Sequence, residues 1–106
     1  MFESIKRLFG IGGPKADFPE MVNNGAIIID VRTKSEFMGG HIKGSKNIPV
    51  NSLRSNLTKF RDKDKPIITC CASGMRSASA KNLLESHGYT SVYNAGSWRS
   101  LQNKLS

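Results

Sequence analysis

Two stretches constrain this chain more than any others: AIIIDV over residues 26–31 and PIITCC over residues 66–71. Each is a short run, largely apolar and rich in β-branched side chains. A strand with one face in water alternates apolar and polar residues, whereas an unbroken run marks a strand covered on both sides. Such strands belong to parallel sheets with helices on their faces, and helical patterns lie between them here. NSLRSNLTKF puts Leu53, Leu57 and Phe60 on one helical stripe, and SASAKNLLESHG reads as a helix stopped by Gly88. GSWRSLQNKL predicts a last helix that buries Trp98, Leu101 and Leu105. Upstream, Asp17 and Glu20 form a D-x-x-E capping pair, Pro19 is tolerated in the first turn, and Gly25 supplies the stop. KNIPV and TSVYN read as short extended segments. The fold class is therefore α/β, with a mostly parallel sheet.

With 106 residues the chain is long enough for one hydrophobic core. Residues 1–13 read as an amphipathic appendage and residues 14–106 as the domain proper. Phe2, Ile5, Leu8 and Phe9 fall at helical spacing around Lys6 and Arg7, and Gly10, Gly12, Gly13 and Pro14 then break the pattern. The favoured reading is a short helix packed on the domain; contact of residues 1–9 with a membrane surface or a partner is the other. No apolar run approaches the roughly 18 residues of a membrane span. MFESIKRLFGIGG shows neither the apolar stretch nor the cleavage site of a secretory signal. The expected compartment is thus a reducing cytoplasm, where adjacent cysteines are more reactive or incidental than disulfide-forming.

The net charge of +8 raises nucleic acid as a partner. Its densest cluster, Lys59, Arg61, Lys63 and Lys65, is interleaved with Asp62 and Asp64, and no basic helix carries interspersed aromatics. The charge is better suited to concentrating small anions than to gripping a polynucleotide.

Chemistry gathers in CCASGMRS, residues 70–77, which holds both cysteines of the chain. In a parallel sheet, sites form beyond the carboxyl ends of strands, and this loop joins such an end to a helix. Gly74 permits the sharp turn. Amides of a tight loop ahead of a helix face inward and form an anion cradle. A cysteine opening that loop is held as a thiolate, the nucleophilic form. Arg76 offers a fixed charge and a planar fork, and Ser73 and Ser77 offer hydroxyls. Attack by a thiolate on an anionic substrate, through a covalent intermediate, is the implied chemistry.

IIIDVRTKSEFMGGHIKGSKNIPV resembles the D-V-R, E-F/Y, G-H-I, G and N-I-P succession of rhodanese domains. CASGMRS resembles the active-site loop of their single-domain members, and LLESHGYTSVYNAGSW is similar to the region that follows it. The resemblance runs from Asp17 to Trp98. It implies a five-stranded parallel sheet flanked by helices on both faces, and sulfurtransferase activity. Cys71 would take sulfane sulfur from a small anionic donor such as thiosulfate, or from a persulfide. It would then pass that sulfur to a thiol or cyanide acceptor, a protein thiol included. Ala72, Ser73, Gly74, Met75, Arg76 and Ser77 would line the binding loop. The persulfide is itself the carrier, so neither metal nor organic cofactor is implied, and the expected state is a monomer. The chain departs from the family pattern in having Cys70 before the loop and Ala95-Gly96 where Gly-Gly is usual.

Counted from Cys70, the segment also reads C-x-x-x-x-x-R, the spacing of cysteine-dependent phosphatases, some of which share the fold. Adjacent strand side chains point to opposite faces, so Cys70 should face the core as a small hydrophobe. A third reading keeps the fold as a non-catalytic or sulfur-delivery module that docks a partner. The intact cysteine, glycine and arginine favour catalysis.

Asp30 ends the first buried strand and has two open roles: anchoring the loop, or capping the turn that follows. Arg32 and Glu36, four residues apart, are expected to pair. His41 belongs to the G-H-I turn and reads as structural, and with His87 and two adjacent cysteines it makes no tetrahedral ligand set. Gly39 and Gly44, followed by Ser45-Lys46, mimic a phosphate loop with its last two residues reversed, and GIGG follows no strand.

Overall fold

A computed structural model describes residues 16–106, so the appendage of residues 1–13 lies outside the described residues. Strands β1 (Ile27–Asp30), β2 (Lys46–Asn47), β3 (Ile67–Cys71) and β4 (Val92–Ser97) form one sheet in the order β2-β1-β3-β4. All its neighbours are parallel. The expected five-stranded sheet is thus corrected to four strands among the described residues. Between residues 16 and 106 only these four segments find strand partners, and the stretch between β1 and β2 is spent on a helix and turns.

The helices are α1 (Phe18–Asn23), α2 (Lys34–Met38), α3 (Val50–Leu53), α4 (Met75–Ser86) and α5 (Trp98–Leu105). The Asp17 side chain accepts the Glu20 amide and caps α1 as the spacing predicts. Where one helix was expected over NSLRSNLTKF, a single turn of α3 passes into a 3-10 helix, Arg54–Lys59. The cause is local: Ser55 Oγ and Asn56 Nδ2 both donate to the Ser52 carbonyl, at 3.0 and 2.7 Å, competing with α-helical bonding.

The register pairs Ile29 with Thr69 and Asp30 with Cys70, so odd-numbered residues of β1 and β3 share one face. That face carries Ile29, Val31, Ile67 and Cys71 against Leu53, Phe60, Ala80 and Leu84, under α3, the 3-10 helix and α4. The other face carries Ile28, Ile68 and Cys70 against Phe18, Ile42 and Leu101, under α1 and α5. Every residue of β3 is buried, as its unbroken apolar run predicts. The sheet therefore separates the two cysteines into different cores.

Candidate active site

β3 runs to Cys71, three residues (Ala72, Ser73 and Gly74) turn the chain, and α4 begins at Met75. Gly74 makes the turn with φ +108°, in the left-handed region. A Cβ there would lie 3.4 Å from the Cα of Gly96, so two glycines meet where loop and β4 approach. Between Thr69–Asn94 and Cys71–Ser97, β4 carries one residue more than β3. The bulge is closed by the Gly96 amide on Asn94 Oδ1 at 2.9 Å.

The loop folds its donors onto one sulfur. The Gly74 amide donates to Cys71 Sγ at 2.9 Å, and Ser77 Oγ lies 3.4 Å from it. Burial pushes the Cys71 thiol up, but the Ser77 hydroxyl and the backbone amides of Ser77, Gly74 and Ser73 outweigh it and hold the thiol below its usual range. Burial also acts on Cys70, joined by the charge of Asp30, and with no such donors its thiol is pushed up to about 12. The two neighbours have the same chemistry and opposite environments.

Ser77 is fixed more firmly than its sequence position suggests. Its carbonyl accepts Thr69 Oγ1 at 3.0 Å, and its hydroxyl lies 2.6 Å from Asn94 Oδ1 and 3.1 Å from the Gly74 carbonyl. One hydroxyl proton thus has three acceptors within reach, the Cys71 sulfur among them. Asn94 Nδ2 also donates to the Gly74 carbonyl at 3.3 Å, so Asn94 braces both the loop and Ser77. Asn94 was missed in the sequence; the Asn-x-Gly signal of a bulge at a strand end is what marks it.

Arg76 departs from the expected arrangement. Its Nη1 and Nη2 donate to Glu36 Oε1 and Oε2 at 2.7 and 3.0 Å, a two-pronged pair. The fork expected to face a substrate faces Glu36. The expected pairing of Arg32 with the Glu36 carboxylate is corrected too: Arg32 Nη2 lies 2.7 Å from Asp30 Oδ2, and Arg32 Nη1 touches only the Glu36 carbonyl. Asp30 also accepts the Arg32 amide at 3.1 Å, which makes it the turn cap. It makes no bond to the loop, because it is on the Cys70 face of the sheet. Its influence on the site is indirect. The buried Asp30–Arg32 pair holds the Glu36 and Gly40 carbonyls, and thereby fixes the helix turn whose Glu36 side chain meets Arg76.

Glu36 is itself pinned by a capping box: Oε1 accepts the Thr33 amide and hydroxyl, each at 3.0 Å. Arg76, with the Thr33 amide, brings its carboxyl down to about 2. His41 donates from Nδ1 to the Phe37 carbonyl at 2.8 Å and stacks on the Phe37 ring, as a structural turn residue would. Ala72, Ser73 and Met75 are exposed, whereas Cys71 has 0% of its surface exposed.

A family model described as the Rhodanese-like domain matches residues 15–104. The chain belongs to the rhodanese-like domain family. This rhodanese-like domain is 42% identical to YqhL of Bacillus subtilis over 69 residues, 65% of this chain and 54% of that protein. It is 36% identical to thiosulfate sulfurtransferase PspE of Escherichia coli over 69 residues, 64% of this chain and 66% of that one. The chain thus spans about half the length of the first and about two thirds of the second. Among solved structures, the human single-domain sulfurtransferase TSTD1 matches with a TM-score of 0.72 and 31% identity, covering 90% of this chain and 100% of that one. A rhodanese of E. coli solved with anions gives 0.68 and 32%, over 72% of this chain and 91% of its own.

Proposed function

We propose that this rhodanese-like domain is a sulfurtransferase that carries sulfane sulfur as a persulfide on Cys71. The observation that carries the reading is the convergence of the Gly74 amide and the Ser77 hydroxyl on Cys71 Sγ at the head of α4. Donors aimed at sulfur stabilise a thiolate before reaction and the terminal sulfur anion after it. The Cys71 thiolate attacks the sulfane sulfur of thiosulfate; a sulfur–sulfur bond forms, and sulfite departs with the electron pair of the bond that breaks. An acceptor thiolate or cyanide then attacks the outer sulfur and returns Cys71 as thiolate. A persulfide donor reacts the same way, with a thiolate as leaving group.

The C-x-x-x-x-x-R reading requires Cys70 in the cradle, yet Cys70 packs with Phe18, Ile28 and Leu101 on the opposite face. Incubation with thiosulfate followed by intact mass measurement tests the proposal. The protein gains one sulfur atom, Cys71→Ser abolishes the gain, and Cys70→Ser keeps most of it. A gain that followed Cys70 would overturn the assignment.

A further inference from the structure

We infer that Glu36 sets the donor preference of the Cys71 site by occupying Arg76, discriminating against small doubly charged donors and in favour of sulfane sulfur carried on a thiol. The inference deepens the sulfurtransferase reading and rests on it. An arginine at the mouth of a thiolate site serves a small anion through its charge and its fork of donors. Here Glu36 takes one N–H from each terminal nitrogen of Arg76, at 2.7 and 3.0 Å, and cancels the charge.

Glu36 does not occupy that place by chance. The Thr33 amide and hydroxyl hold its carboxylate from the N-cap of α2, and Arg32 grips its carbonyl at 3.3 Å from the buried Asp30 pair. A carboxylate fixed in this way is an internal competitor for every anion that approaches Arg76. Thiosulfate, with two charges, must displace Glu36 or bind beside its negative charge. A persulfide on a thiol carrier bears a single charge on the sulfane sulfur and needs no fork. The side chains of Arg76 and Glu36 are 35% and 37% exposed, so the pair is within reach of solvent and its displacement costs little more than a surface ion pair.

Glu36 is a positioning residue, and the split between KM and kcat reads its role. In Glu36→Gln the thiosulfate KM should fall about two- to fivefold, the range an accessible charge pair supports, with kcat little changed. Turnover of an alkyl hydropersulfide, which carries a single charge, should stay at the wild-type level. Thr33→Ala removes the hydroxyl bond that helps fix Glu36 but keeps the amide bond and the charge beside Arg76, so its thiosulfate KM should fall by less than that of Glu36→Gln. An unchanged KM in Glu36→Gln, parallel losses with both donors, or a Thr33→Ala variant that copies Glu36→Gln would overturn the inference and leave a structural ion pair. The intact mass of the wild-type protein separates this from the parent reading. Sulfur on Cys71 with an unmoved KM sinks only the role of Glu36, whereas no sulfur gain from either donor sinks sulfur transfer itself.

Discussion

At the scale of the residue, the contrast between Cys70 and Cys71 is one of hydrogen bonding rather than of chemistry. Both thiols are buried, and burial alone would raise both. Amide and hydroxyl donors reverse the outcome at Cys71 only. Its thiolate fraction therefore grows at lower pH than that of a free cysteine, and iodoacetamide labelling of Cys71 should level off earlier in a pH titration. Cys70 should stay unlabelled across the same range while the fold persists. Ser77→Ala removes the hydroxyl donor, so the labelling midpoint moves up in pH. The rate at neutral pH falls about tenfold or more, the worth of a hydrogen bond to a charged group. A midpoint unmoved by Ser77→Ala would mean that Asn94, at 2.6 Å, holds the hydroxyl proton in both states of the thiol.

At the scale of the element, the site is a strand end, a three-residue turn and a helix start, braced by the bulge of β4. Gly74 has φ +108° and approaches Gly96 across that bulge, so Gly74→Ala should be costly on two counts. A side chain in the left-handed region costs about 1–2 kcal/mol. Each kcal/mol lowers Tm by about 4–8 °C in a domain near this size, which thermal unfolding would register. Sulfur loading should fall with it, because the Gly74 amide would turn from Cys71. These elements were largely legible: unbroken apolar runs give β1 and β3, and strand alternation sends Cys70 and Cys71 to opposite faces. Less legible was whatever depends on which elements meet. Glu36 and Arg76 are 40 residues apart, and nothing local in either stretch announces their pairing. The T-x-x-E signal of Thr33 and Glu36 was available and marks α2, but a capping box does not say what its glutamate meets next. Asn94 was obscured in the same way, since its partners Ser77 and Gly74 come from another element.

At the scale of the whole molecule, the groups described around Cys71, from Asp30 to Ser97, all come from the sheet's carboxyl edge and its flanking helices. Removing Met1 to Gly12, ahead of the break at Gly13-Pro14, should therefore leave the thiosulfate kcat within about twofold of the full chain, the ordinary effect of changes remote from a site. A collapse of turnover with an unchanged circular dichroism spectrum would show that the segment shapes the site. The division of the cores by the sheet has a wider consequence. With only two cysteines in the chain, and the second sealed behind a wall of backbone, Cys71 has no thiol of its own to turn to. On the sulfurtransferase reading proposed above, sulfur that Cys71 acquires leaves to a molecule from outside. On that reading the fold makes the domain a courier without a place of storage.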